Sequence, residues 1–371
     1  MTGTSVNGSL AAGAGRFEER LCHVLVADWL LDMEVELIGI KASAALARHT
    51  WGGGKRLRPI TFLLSYLSAS AENGRSTMVR GREVQLAAAL ELMHEASLVH
   101  DDLVDRSNLR RGKPTVQMSN GAGRALLMGD YMVFRALKMV LDVAESAADI
   151  RLAQRLADTG LQIAHGQLEQ LERYLHAESP EARMSLDDYE GIITKKTAMF
   201  FAGCAEGGAA LVGAKPAVCE PYHRFGLEMG VAFQMLDDLI DVIGDPEVAA
   251  KSLTNNLAEG TVTLPFIHGY WLDPEHPGLL QLASAQPLDP DLQAATLEFV
   301  RSEPVQLRCR ETIAEHARRS LEAWSELPGN AFSLGLHDLL TFICTGSWGG
   351  MPPQLDGLVD LGPQTTKDRR Q

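Results

Sequence analysis

The chain has 371 residues, 46% hydrophobic and 22% charged, which is ordinary globular composition and excludes wholesale disorder. Thirty-four basic residues stand against 48 acidic ones, for a net charge of −14. That balance argues against general nucleic-acid binding, which needs a surplus of Lys and Arg.

In chain order, residues 1–15 are small and polar and read as a flexible arm. They lack the basic start and apolar core of a secretory signal. From residue 16 to 348, Ala-, Leu-, Met- and Glu-rich stretches recur at helical spacing, alternating Val/Ile/Thr runs are nearly absent, and the expected fold is all-α. Breakers divide the helices at Gly52-Gly53-Gly54, Arg110 to Pro114, Gly121 and Gly123, Ser179-Pro180, Gly213 to Pro216, Gly244 to Pro246 and Pro274 to Gly278. No Pro/Ser-rich linker splits this stretch, so residues 16–348 read as a single domain. Residues 349–371, with Pro352, Pro353, Pro363 and a terminal KDRRQ, read as a flexible tail. No run of about 18 apolar residues occurs, so no transmembrane helix is expected. Cys22, Cys204, Cys219, Cys309 and Cys344 are odd in number and form no CxxC, which fits a reducing compartment, the cytoplasm, better than a disulfide framework or a thiolate zinc site.

The strongest local signal is Asp101-Asp102-Leu103-Val104-Asp105, repeated in spacing at Asp237-Asp238-Leu239-Ile240-Asp241. On a helix, positions i, i+1 and i+4 fall within an arc of about 100°, so each cluster presents three carboxylates on one face. Like charges this close resist ionisation unless a cation intervenes. Oxygen ligands without nitrogen or sulfur select Mg²⁺ or Ca²⁺, and the calcium-loop pattern DxDxDG is missing. Mg²⁺ takes one or two carboxylates and leaves its other positions to water and phosphate oxygens, so two opposed faces describe a site for a polyphosphate bridged by several Mg²⁺. Upstream of the first cluster, Leu90, His94 and Ser97 lie within about 40° of Asp101, with Met93 a little further round. That face suits the wall of an apolar channel with metal at its mouth. Gln234, three residues before Asp237, is placed to contact the same ligand.

A diphosphate also needs cations. Lys55 and Arg58 follow the three glycines, Arg110, Arg111 and Lys113 follow the first cluster, and Lys195-Lys196-Thr197 opens another apolar run. Arg grips phosphate with a bidentate fork and Lys supplies a compact charge.

The ordered set GGGKRLRP, HEASLVHDDLVDRSNLRRGKPTV, KKTAMFF and FQMLDDLIDVIGDPEVAAK resembles the all-trans polyprenyl diphosphate synthases, from about Gly52 to Gly269. The resemblance implies an isoprenoid-synthase-type helical bundle around a deep central cavity, usually as a homodimer, that elongates an allylic diphosphate head-to-tail with isopentenyl diphosphate. It implies that Asp101, Asp102, Asp105, Asp237, Asp238 and Asp241 hold Mg²⁺, three ions per active site. Arg110, Lys196, Gln234 and Lys251 would serve the allylic diphosphate or its metals, Lys196 as part of the catalytic set, Lys55, Arg58, His94 and Arg111 the isopentenyl diphosphate, and Thr197 would be a further substrate-binding residue. A transient membrane contact for product release is a further expectation. The chain departs from the family at Asn256, where an acid is usual, and at Thr261, where a lysine is usual.

Two other readings have discriminating features. A class I terpene cyclase pairs one acidic cluster with N-D-x-x-S-x-x-x-E, whereas both clusters here are Asp-Asp-x-x-Asp. A subunit that tunes a separate synthase tends to lose aspartates that this chain keeps. In the family, an aromatic four or five residues before the first cluster gives a short product. Here Ser97 and Ala96 are small and Met93 is flexible, so the expected product has twenty carbons or more, with thirty to forty favoured.

Overall fold

The structure is a computed structural model and describes residues 54–79, 81–176, 179–244, 262–284 and 288–345. The arm, the tail, Gly52, Gly53, Cys22, Lys251, Asn256 and Thr261 lie outside the described residues.

Helices dominate, as the spacing predicts. They are α1 Leu57–Glu72, α2 Gly81–Val104, α3 Val116–Asn120, α4 Ala122–Asp142, α5 Ala147–His176, α6 Pro180–Arg183, α7 Leu186–Ile193, α8 Met199–Leu211, α9 Pro216–Ile243, α10 Leu264–Leu272, α11 Pro277–Ala283, α12 Pro290–Val300, α13 Glu303–Ser325 and α14 Ala331–Thr345. Several start where the sequence supplies a proline at the first turn, which needs no intrahelical amide partner. Among the described residues most breakers fall at helix boundaries: Gly213 after α8, Gly244 after α9, and Pro274 between α10 and α11 with Pro277 opening α11, whereas Gly123 lies in the first turn of α4.

Two features depart from a plain helical chain. Arg110 to Pro114 is a small hairpin, with β1 Leu109–Arg110 antiparallel to β2 Lys113–Pro114. Its two loop residues, Arg111 and Gly112, both have positive φ (50° and 75°), the twist a two-residue hairpin loop requires. Thr194–Ala198 is one π-helical turn set between α7 and α8. Such turns sit often at functional sites because the wider winding re-aims side chains.

The central layer is α1, α8 and α9, with α2 packed on α1 and α4, α5 on α4 and α8, and α13 on α9. Close approach in this layer depends on Gly208, where a Cβ would stand 2.2 Å from the Phe62 carbonyl oxygen. The core is continuous through these helices and includes the fully buried Phe62, Phe200, Phe201, Tyr222 and Phe225. α2 and α9 carry the two aspartate clusters at their C-terminal ends, so the bundle delivers both to one end. Among the described residues no helix is long and apolar enough to cross a membrane.

Candidate active site

A cavity of about 380 Å³ opens between the ends of α2 and α9. Its wall carries the carboxylates Asp101, Asp105, Asp237 and Asp238 and the cations Lys55, Arg58, Arg110, Arg111, Arg183 and Lys196. Six cations against four carboxylates, in a chain that is strongly acidic overall, describe a site built for an anion with metal.

The first cluster splits. Asp101 and Asp105 line the cavity, but Asp102 is 4% exposed and turned aside. Arg110 Nε and Nη2 both reach Asp102 Oδ1 at 2.8 Å. The helix ends at Val104, and the hairpin brings Arg110 back onto the face where Asp102 sits; the shared arc expected from spacing holds for Asp101 and Asp105 only. Gln117 Nε2 fixes this return by donating to the Asp102 and Ser107 carbonyls at 2.6 and 2.9 Å. Burial raises Asp102 against the opposing pull of Arg110, and burial and the Asp101 charge raise Asp105.

The second cluster is held by neutral donors. Tyr189 Oη donates to Asp238 Oδ2 at 2.6 Å, and Gln234 Nε2 donates to Asp238 Oδ1 at 2.9 Å. Thr197 Oγ1 donates in turn to Gln234 Oε1 at 2.9 Å, which links the π-turn to α9. Withdrawal from water pushes Asp238 up to about 7 despite these hydrogen bonds, and raises Asp237 although Lys55 opposes it. Asp241 is exposed and lies outside the cavity lining. On the π-turn, Lys196 Nζ donates to Gln170 Oε1 at 2.8 Å, while Lys195 Nζ is tied to both oxygens of Glu169 at 2.6 Å. The pair therefore divides: Lys196 lines the cavity and Lys195 does not.

The remaining wall is basic. Arg58 is 7% exposed, its guanidinium lies over the rings of Phe201 and Phe200 at 4.7 and 5.2 Å, and its buried Nε has no hydrogen-bond partner. A buried donor without a partner is costly, and an incoming anion would supply the acceptor. Burial and the nearby charges of Arg58 and Arg111 keep His94 well below its ordinary value, so it meets an anion as a neutral donor.

Of the channel residues, Ser97 lines the cavity, but Met93 and Ala96 do not: they are 2% and 0% exposed and belong to the core. Ala96 lies five residues from Asp101, about 140° round the helix, which turns it into the bundle. The residues beside Ser97 on the apolar wall are Leu98, Ile192, Ile193, Phe233 and Val262. Sequence reasoning missed Tyr189, Gln170 and Arg183, and it missed Arg56, Glu91 and Glu95 behind the basic wall.

Among the described residues no three carboxylate, His or Cys side chains converge closely enough to hold an ion by themselves. The cavity carboxylates still suit Mg²⁺, which needs only one or two of them per ion when phosphate oxygens and water complete its shell.

A bundle with two acidic helix ends facing cations across a cavity with one apolar wall is the architecture of an isoprenoid-diphosphate enzyme, and the chain belongs to the polyprenyl synthetase family, whose model matches residues 41–297. It is 32% identical to the all-trans-nonaprenyl-diphosphate synthase (geranyl-diphosphate specific) of Rhodobacter capsulatus over 81% of this chain and 89% of that one. It is 36% identical to the geranylgeranyl diphosphate synthase of Mycobacterium tuberculosis over 55% of this chain and 56% of that one. Its fold matches a crystal structure of polyprenyl synthase from Caulobacter crescentus complexed with calcium and isoprenyl diphosphate, with a TM-score of 0.77 and 27% identity over 90% and 98% of the two chains. The protein is a prenyltransferase of isoprenoid biosynthesis.

Proposed function

We propose that this chain elongates an allylic diphosphate head-to-tail with isopentenyl diphosphate, in a Mg²⁺-dependent reaction that releases pyrophosphate. The observation that carries the proposal is the shared wall, on which two carboxylate pairs meet a larger set of cations. Asp101, Asp105, Asp237 and Asp238, with Asp241 beside them, are assigned to three Mg²⁺; bound there, the ions would supply charge stabilisation to the departing pyrophosphate. Asp102 is assigned to placing Arg110.

Arg110, Lys196, Gln234 and Lys251 are assigned to the allylic diphosphate, with Thr197 orienting Gln234. Lys55, Arg58, His94 and Arg111 are assigned to the isopentenyl diphosphate. As the allylic C–O bond breaks, Arg110 and Lys196 stabilise the growing negative charge on the leaving group. Arg58 and its neighbours hold the isopentenyl double bond beside the allylic carbon, which turns a collision into a positioned attack. Ser97, Leu98, Ile193 and Phe233 keep water from the cation. The proton then lost from the new chain passes to the released pyrophosphate.

The product is assigned twenty carbons or more, with thirty to forty favoured, because the position four residues before the first cluster is the small Ser97. The four described cysteines are unpaired and buried, which supports a cytoplasmic location. A homodimer is supported by apolar side chains exposed at helical spacing on α4 (Leu127, Tyr131, Phe134 and Leu141, 45–70% exposed) and on the adjoining α5 (Leu161 and Leu168, 68% and 58%). The test is to incubate the purified protein with Mg²⁺, labelled isopentenyl diphosphate and, separately, dimethylallyl, geranyl, farnesyl and geranylgeranyl diphosphates, then size the dephosphorylated products. A ladder ending at one length is expected. No incorporation with any primer would overturn the proposal.

A further inference from the structure

Behind the basic wall lie three buried ionisable side chains that reach a fourth, the half-exposed Arg111 of the cavity lining. Arg56 is 6% exposed, Glu91 2% and Glu95 1%. Arg56 Nη1 is 2.5 Å from Glu91 Oε1 and 3.5 Å from Glu95 Oε1. Arg111 Nη1 and Nη2 both donate to that same Glu95 oxygen at 3.2 Å. Glu95 thus holds two arginines from separate segments, one just before α1 and one in the hairpin loop.

Arg56 pays a conformational cost to be there, and Arg111 sits in the hairpin loop whose turn type calls for positive φ. Arg56 and Arg111 have φ of 56° and 50°, in the left-handed region that residues with a side chain rarely adopt. Strain like that at Arg56 persists only where surrounding contacts over-determine it, and it gathers at ligand clamps. Gly54 shows how closely the pieces fit: a Cβ there would stand 2.7 Å from Arg56 Nη1, 3.3 Å from Glu91 Oε1 and 3.4 Å from Arg111 Nη2. With Arg56 turned inward, its neighbours Lys55 and Arg58 line the cavity. A buried ion network adds little net stability over apolar residues of the same volume. What it does supply here is a fixed spacing between two cationic segments.

We propose that Glu95 is a positioning residue for the isopentenyl diphosphate subsite, coupling Arg111 in the hairpin to the Lys55–Arg58 segment. The inference rests on the assignment of Lys55, Arg58 and Arg111 to that diphosphate. Glu95 touches no substrate; it sets where Arg111 can meet one. Glu91 has the narrower task of holding Arg56.

The test compares Glu95→Ala with Glu95→Gln, by steady-state kinetics in each substrate, by titration calorimetry with isopentenyl diphosphate, and by thermal melting. Removing the acceptor in Glu95→Ala is expected to raise KM for isopentenyl diphosphate and weaken its binding about tenfold, with KM for the allylic substrate within about twofold. Glu95→Gln keeps an oxygen for Arg111 and is expected to recover most of the loss, and it remains the readout if the alanine variant does not fold, since its isopentenyl KM should then lie only slightly above wild type. Three results would overturn the role. Melting could fall with neither KM altered. Both KM values could rise together. Or isopentenyl binding could tighten, which would mean the carboxylate opposes the anion through its charge. Wild-type protein that elongates no primer and binds no isopentenyl diphosphate would sink the underlying assignment. Wild-type binding matched by Glu95→Ala would sink the positioning role alone.

Discussion

The two aspartate clusters share a spacing and differ in almost everything around it. At the end of α2 the middle carboxylate, Asp102, is taken by Arg110, so part of the cluster's charge is already balanced by the protein. At the end of α9 the corresponding carboxylate, Asp238, accepts from Tyr189 and Gln234, which carry no charge, and it is pushed up to about 7. The first cluster's middle carboxylate is therefore held by an ion pair and the second's by neutral hydrogen bonds. A repeated motif fixes which groups are present, but the partners that arrive from other elements decide what each group does.

The largest expected effect breaks the symmetry within the first cluster. Asp101→Ala and Asp237→Ala, both on the cavity wall, are expected to lower kcat about 10³-fold or more, because each removes a carboxylate assigned to metal. Asp102→Ala is expected to cost only about 10- to 100-fold, mostly as a raised KM for the allylic substrate, because it frees Arg110 rather than emptying a metal position. Equal losses in all three variants would return Asp102 to the metal set. Chelation of Mg²⁺ from wild type should abolish turnover, and readdition should restore it.

The next effect concerns product length. Ser97→Phe places a ring on the cavity wall and is expected to shorten the product, read by sizing the dephosphorylated chains. Ala96→Phe puts the same ring into a site with no exposure, where overpacking costs about 1–3 kcal/mol. It is expected to lower the melting temperature before it changes length. A shorter product from Ala96→Phe with unchanged melting would show that the chain grows on the core side of α2.

Much of this was legible in the sequence. The helical class, most of the breakers and the shared face of Asp101 and Asp105 follow from spacing, the basic groups stand out as residues, and the resemblance supplied their division between two diphosphates. The failures share one cause. Spacing gives an angle on a helix but not what packs against it. Asp102 was placed with Asp101 and Asp105 because nothing local announces that Arg110, eight residues on, folds back. Tyr189 reaches Asp238 from 49 residues away. Glu91 and Glu95 did leave a signal, two acids one turn apart within an otherwise apolar stretch, because buried carboxylates demand cationic partners. Ala96 was judged by distance along the chain when its angle about α2 decides, and Met93, placed by angle a little further round, is taken into the core by what packs against it.

Arg183 sharpens the comparison on the α9 side. It is 3% exposed, lines the cavity with Tyr189 and Lys196, and is anchored from both sides. The Ser179 hydroxyl caps its short helix, and Trp271 Nε1 donates to the carbonyl of Met184 at 2.9 Å. Arg183→Ala is expected to raise KM for the allylic diphosphate about tenfold and to leave that for isopentenyl diphosphate within about twofold. The reverse pattern would move Arg183 to the other subsite.

The smallest effect tests the scaffold behind Tyr189. His316 on α13 is 6% exposed and faces Glu228 of α9 at 2.7 Å and Glu190 of α7 at 3.6 Å, while its neighbour Glu315 pairs with Arg318 and Arg319. Burial alone would lower His316, but the hydrogen bonds to Glu190 and Glu228 win and raise it to about 9. In the unfolded chain it titrates near 6.5. Folding therefore favours the charged ring, so its stabilisation is fully present below about pH 6.5 and is lost as pH rises through about 9. His316→Gln should cost up to about 3 kcal/mol at pH 6, and the gap from wild type should close towards pH 10. Turnover at pH 7 should change little, since Glu190 only neighbours the residue that holds Asp238. A stability gap that stays level or widens with rising pH would show that His316 contributes by packing, and that the support behind the second cluster is no more charged than that behind the first.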